Sequence, residues 1–187
     1  MLGEPPRGGI AMTLNFEKLK AAIHYICEKA ASREDRFDHI KLNKVLWYSD
    51  AYTFLAHGDS ITGATYIRKP FGPVAKHNRS AIGVLEREEK IRHGKAMPGE
   101  ANAYWTDCYD VLEEADKSLF QGYELKIIDE VFKQVTETTS FDISERTHGE
   151  IWQLAINDEE IPLYTVFAEQ VGEITEQHLA LAAAAGR

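Results

Sequence analysis

Seven histidines, two cysteines and thirty acidic residues are the side chains of this 187-residue chain that could hold a metal or move a proton. Their spacing argues against both uses. His24, His39, His57, His77, His93, His148 and His178 are scattered over different predicted elements, and none pairs as HxxxH. A structural zinc site needs a short Cys/His spacing, which is missing. Cys27 and Cys108 stand far apart with no CxxC and read as two reduced thiols, as in a cytoplasmic protein. The acidic pairs Glu113/Glu114 and Glu159/Glu160 are adjacent in sequence, so their side chains diverge instead of sharing a proton. His148 follows Thr147 at a predicted helix start, where it serves the helix end better than it serves a base. There is no G-x-S-x-G, Walker loop or GxGxxG. Catalysis is not indicated, and neither metal nor cofactor is implied.

Charge is the second source of function. The net charge is -9, with hydrophobic residues at 44% and charged residues at 27%. The first 95 residues carry a balance of +5 and the remainder -14. Such asymmetry suits an acidic face that meets a basic partner, or a solubilising surface. Between Arg68 and Lys95 lie Arg68, Lys69, Lys76, Arg79, Arg87, Lys90, Arg92 and Lys95, against the acids Glu86, Glu88 and Glu89. A basic helix followed by a hairpin is the order of a winged helix, so a DNA-binding regulator is the alternative reading. The acidic second half would repel a duplex, which makes nucleic acid the weaker partner. No apolar run approaches the ~18 residues of a membrane helix and no signal peptide is visible, so no membrane role is expected.

The elements that position these residues are mainly helical. Residues 1–12 read as a disordered leader or tag, leaving 13–187 as one domain. Phe16, Leu19, Ile23, Ile26 and Cys27 fall at helical spacing over 15–31, with Asn15 as N-cap. Asp38 caps a second helix that stops at Gly58. Its Leu42, Val45, Leu46, Tyr48 and Tyr52 read as core, while Trp47 lies off that stripe and reads as a partner contact. A β-prone stretch, 61–71, leads to Gly72-Pro73, where Pro73 suits the first turn of a third helix from Val74 to about Glu89. Lys90–Met97 and Ala101–Thr106 flank Pro98-Gly99 as a hairpin. A helix over 118–138, a short turn of helix near Phe141 and Ile143, a capping box at Thr147–Glu150, an edge strand at 160–166 and an alanine-rich helix at 175–185 complete the reading. The fold class is mainly α (α+β), a single compact multi-helix domain with a small β-hairpin.

Three segments together carry a resemblance. The run Lys41-Leu-Asn-Lys-Val-Leu-Trp-Tyr-Ser-Asp50, then Gly63-Ala-Thr-Tyr66 with Phe71-Gly-Pro-Val74, and finally Arg146-Thr-His-Gly-Glu-Ile-Trp152, resemble the SocA-like antitoxin family and its Panacea domain. The likeness runs from about Phe16 to Ile161. It assigns Lys41, Leu42, Lys44, Leu46, Tyr48, Tyr66, Gly72, Pro73, Val74, His148 and Trp152 to the family motif. Trp47 departs from the tyrosine usual there, and the 90–106 insert is longer than in compact members. The resemblance implies a helical antitoxin that neutralises a protein toxin encoded beside it, by steric block or by presenting the toxin to a cellular protease. Trp47, Arg68, Lys69, Arg92 and Trp105 are the expected partner contacts.

Overall fold

The computed structural model of the chain describes residues 13–33, 37–96, 106–139, 142 and 150–166. The fold is mixed α+β and mainly helical. Helix α1, Phe16–Ala31, begins where the Asn15 side chain accepts a hydrogen bond from Lys18 N at 3.0 Å. Its Leu19, Ala22, Ile23 and Ile26 are buried on one face. Helix α2, His39–His57, is capped by Asp38, which accepts from Lys41 N, and ends at Gly58. Every residue from Lys41 to Ala51 is buried. A helix covered on all sides must be the centre of the core, and α1, the helix Gly122–Thr136 (α4) and a small sheet pack around it.

The segment after α2 departs from expectation. Strands β1, Tyr66–Lys69, and β2, Gly72–Ala75, form an antiparallel hairpin, so Gly72-Pro73-Val74 is a strand. The third helix, α3, starts only at Asn78 and runs to Arg87. Two local facts decide this. Pro70 and Phe71 form the corner, and Gly72 takes φ +107°, which L side chains rarely adopt. Pro73 is tolerated because it faces Arg68, whose own backbone bonds the other neighbour: Arg68 N donates to Glu159 O at 2.8 Å and Arg68 O accepts from Asp158 N at 3.0 Å. No ladder donor is therefore required of Pro73, and β2 is an edge strand, the position where proline is accommodated, of a sheet in which β1 lies between β2 and β5, Glu160–Ile161.

The second hairpin pairs β3, Ile91–Ala96, with β4, Thr106–Val111, so its return strand lies later than the expected 101–106. The Pro98-Gly99 turn is outside the described residues. Helix α4, Gly122–Thr136, buries Ile128, Val131, Phe132 and Val135. Glu124 closes its first turn by accepting from Gln121 N at 2.7 Å and also pairs with Lys18 Nζ at 2.6 Å, which fastens α4 to α1. Helix α5, Glu150–Leu154, precedes β5, Glu160–Ile161, which is shorter than the expected strand because Pro162 opens a 3₁₀ turn at Leu163–Thr165. The segments at 141 and 143, at 147–149 and at 175–185 lie outside the described residues.

One close approach joins the N-terminal end of the described fold to the core. Gly63 has φ +64°, and a Cβ there would sit 2.1 Å from Thr13 O. Asn15 N donates to Thr62 O at 2.8 Å in the same place, so the neighbouring backbone has nowhere to yield. Gly63→Ala is expected to destabilise more than Gly72→Val, which should cost roughly 1–3 kcal/mol through its positive φ. Chemical denaturation of both variants checks this order; a Gly63→Ala protein as stable as wild type would contradict it.

Candidate functional site

Lys44 and Tyr66, two of the expected motif residues, take part in a buried polar lock between α2 and the β1–β2 hairpin. Asp50, in the interior of α2, is 1% exposed. Its carboxylate accepts from Thr62 N at 2.9 Å, from Tyr66 OH at 2.8 Å and from the Thr62 hydroxyl. Trp47 packs edge-on against Tyr66, with ring centroids 5.0 Å apart and planes at 72°. One turn earlier Lys44, also 1% exposed, donates from Nζ to the Phe71 carbonyl at the hairpin corner. A buried charge is tolerated only when paired or hydrogen-bonded, and Lys44 and Asp50 meet that condition through the hairpin and the loop that precedes it.

Burial pushes the Asp50 carboxyl up to about 6, against the opposing pull of the hydrogen bonds from Thr62 and Tyr66. Tyr66 is held well above its ordinary value, first by burial and then by the charge of Asp50. Elsewhere burial lowers His24, whose Nε2 lies 2.9 Å from Glu113 O, and raises the Cys27 thiol to about 12. Neither Cys27 nor Cys108 is in a disulfide. Among the described residues no group of histidines, cysteines and acids is arranged to hold a metal ion.

The remaining motif positions divide between support and edge. Lys41, Leu42, Leu46 and Tyr48 are buried along α2, with Tyr48 stacked on Tyr52 at 5.8 Å. Gly72 and Pro73 are buried in β2, with Val74 partly so. Trp152 on α5 donates from Nε1 to Lys69 O at 3.2 Å, and its ring lies beneath the Arg68 guanidinium at 4.1 Å. Arg68 Nε in turn donates to Trp152 O at 3.1 Å. His148 and Trp105 lie outside the described residues.

Trp47 requires a correction. It is 0% exposed, so it is a core side chain and no partner can reach it; the Tyr66 ring covers the side of α2 that seemed free. Of the other expected contacts, Arg92 is the most exposed, at 68% of its side chain, and pairs with Asp110 at 2.9 Å. Lys69 pairs with Asp158, Lys76 with Glu160 at 3.7 Å and Lys90 with Glu88 at 3.2 Å. Four of the eight cations of the 68–95 segment are thus offset by nearby acids. Sequence reasoning did not single out Asp50, Thr62, Asn43 or Asn78. The available signal was an aspartate within a helix apolar on every side, which forces burial and demands donors nearby.

A helix-centred α+β scaffold, pinned by an internal carboxylate, is the class of protein this arrangement defines. The family model described as Antitoxin SocA-like, Panacea domain, matches residues 42–153, and the chain belongs to that antitoxin family. The match starts within α2 and ends just after Trp152, so it encloses the whole lock. No curated protein and no solved structure matches the chain.

The lock makes a prediction with a definite pH sign. Asp50→Asn places an amide donor among three donors, and Tyr66→Phe removes one of them; each should destabilise by roughly 1–3 kcal/mol. Because the folded Asp50 carboxyl is raised to about 6 from its ordinary 3.8, its contribution is fully present below the unfolded value and declines as pH rises through 6. The stability advantage of wild type over Asp50→Asn should therefore shrink between pH 4 and 6 and then level off. Denaturant midpoints across that range measure it; an advantage that grows with pH would show an ordinary, depressed carboxylate.

Proposed function

We propose that the protein is the antitoxin of a toxin–antitoxin pair and neutralises a cognate protein toxin by binding it directly. Family membership across residues 42–153 carries this reading. The geometry supports it by what it assigns to the interior. The motif side chains hold α2 to the hairpin, so recognition falls to the exterior, where Arg68, Lys69 and Arg92 remain candidate contacts. The toxin is proposed to be the product of an adjacent gene. Binding would act by steric block or by presenting the toxin to a protease.

The alternative, a winged-helix-like DNA-binding regulator, has in its favour that α3 leads directly into the β3–β4 hairpin. Phosphate binding needs clustered free cations, however, and four of those expected for it are paired with Asp158, Glu160, Glu88 and Asp110. Among the described residues no helix is long and apolar enough to cross a membrane.

Co-expression with the adjacent open reading frame tests the antitoxin reading. Expression of that frame alone should arrest growth, and co-expression of this chain should restore it with the two proteins co-purifying. If the product is harmless alone and no complex is recovered, the reading is wrong. Where the acidic half steers encounter, the association rate should fall as salt rises.

A further inference from the structure

Between the start of α2, helix α3 and the β3–β4 hairpin lies a cavity of about 620 Å³. Its size falls among sites that take a ligand or an inserted side chain, roughly 300–1,000 Å³. His39, Asn43, Asn78, Gly83, Glu86 and Asp107 contribute to its lining. The motif lock does not use it.

Three independent features mark this cavity. The first is unmet hydrogen bonding. Asn78 is 6% exposed, and its Nδ2 donates to Asn43 Oδ1 at 2.5 Å. Its Oδ1, and His39 Nδ1 beside the same cavity, are buried without a partner among the described residues. Buried polar atoms are nearly always paired, and these two belong to residues that line the cavity. Asn78 Oδ1 is itself closed off from solvent, so an incoming donor reaches it only after the broad terminal amide torsion turns.

The second feature is charge. Among the described residues Glu86 has no ion pair, and Asp107 pairs with His93 Nε2, at 2.9 Å. Both acids lie close enough to Tyr109 to raise its hydroxyl above the ordinary value, although burial is the larger cause. Arg79 is the one arginine of the lining and is exposed.

The third feature is Gly83, in the interior of α3. Glycine is unfavourable in a helix relative to alanine. Packing does not demand it here, since a Cβ would meet only Arg87 Nη1, at 3.7 Å. Gly83 is one of the residues that line the cavity, where a larger side chain adds bulk.

We propose that this cavity is the docking point of the antitoxin's protein partner and receives an arginine side chain from it. The guanidinium lies between Glu86 and Asp107 and donates to Asn78 Oδ1, while its stem runs along Val74, Ile82 and the Tyr109 ring. Arginine fits better than lysine because a planar fork of donors can serve two carboxylates and an amide oxygen at once. An aromatic wall adds cation–π attraction. The proposal rests on the antitoxin reading, which it deepens by naming the surface and the chemistry recognised there.

Two arms test it. In the first, the isotope-labelled full chain is titrated with Nα-acetyl-arginine methylamide and with the glutamate analogue. The arginine compound should shift the Asn78 side-chain amide and the Gly83 amide; the glutamate compound should not. Glu86→Gln should weaken the response about tenfold or more. Gly83→Leu should abolish it while raising or preserving thermal stability, so loss of folding cannot explain the result. No response to arginine at its solubility limit, or an equal response to glutamate, overturns the proposal. In the second arm, Gly83→Leu and Glu86→Lys should lose neutralisation of the adjacent-gene product that wild type achieves. Folded variants that neutralise as well as wild type overturn the docking site and leave the antitoxin reading standing. A wild-type chain that fails to neutralise overturns the antitoxin reading, and the arginine titration then decides the cavity alone.

Discussion

A carboxylate buried in the middle of α2 constrains everything around it. Asp50 is 1% exposed, and an ionised group so placed is tolerable only with donors converging on it. Thr62 supplies two and Tyr66 a third, from a segment that follows α2 in sequence. Those bonds fix the path of the chain from Ser60 to Tyr66, and with it the entry into β1. Lys44 repeats the device at the other end of the hairpin by donating to Phe71 O. The hairpin is therefore held to the central helix by two buried charges of opposite sign, each answered by a different strand end.

That arrangement explains how a chain of this size presents a defined exterior. The core is made by helices α1, α2 and α4, cross-linked by Lys18–Glu124 and by Tyr25 OH to Asp129 at 2.7 Å. Strand β1 sits between β2 and β5, and its Arg68 lies over the ring of Trp152 on α5. Beside the start of α2, α3 and the second hairpin line the cavity together with Val74 of β2. The packed interior and the exposed surface thus fall to different residues. Rigid elements behind a contact surface lower the ordering cost of association.

The helices were legible because their signals are local. Asn15, Asp38 and Gly58 mark ends by backbone hydrogen bonding within a turn, and the spacing of Leu19, Ile23 and Ile26 reports one buried face. The G-P-V segment was misread because Pro73 satisfies two local rules, the first turn of a helix and an edge strand. Only the pairing with Arg68, and the positive φ of Gly72, choose between them. Trp47 was misplaced for a similar reason. On α2 alone it lies off the apolar stripe, and Tyr66, nineteen positions later, is what buries it. The polar lock and the cavity depend on contacts across 12 to 35 positions, which no window of helical or strand period contains.

Direct binding of a toxin is the central claim, and the measurement that reaches it most directly uses two purified proteins and nothing else. This chain and the adjacent-gene product are mixed at equal concentration, free of protease and nucleic acid, and followed by sedimentation velocity. The account predicts a discrete complex at the expense of both free species. Two unchanged free species, from a pair that nonetheless rescues growth in cells, would contradict it, because neutralisation would then run through something other than contact between them.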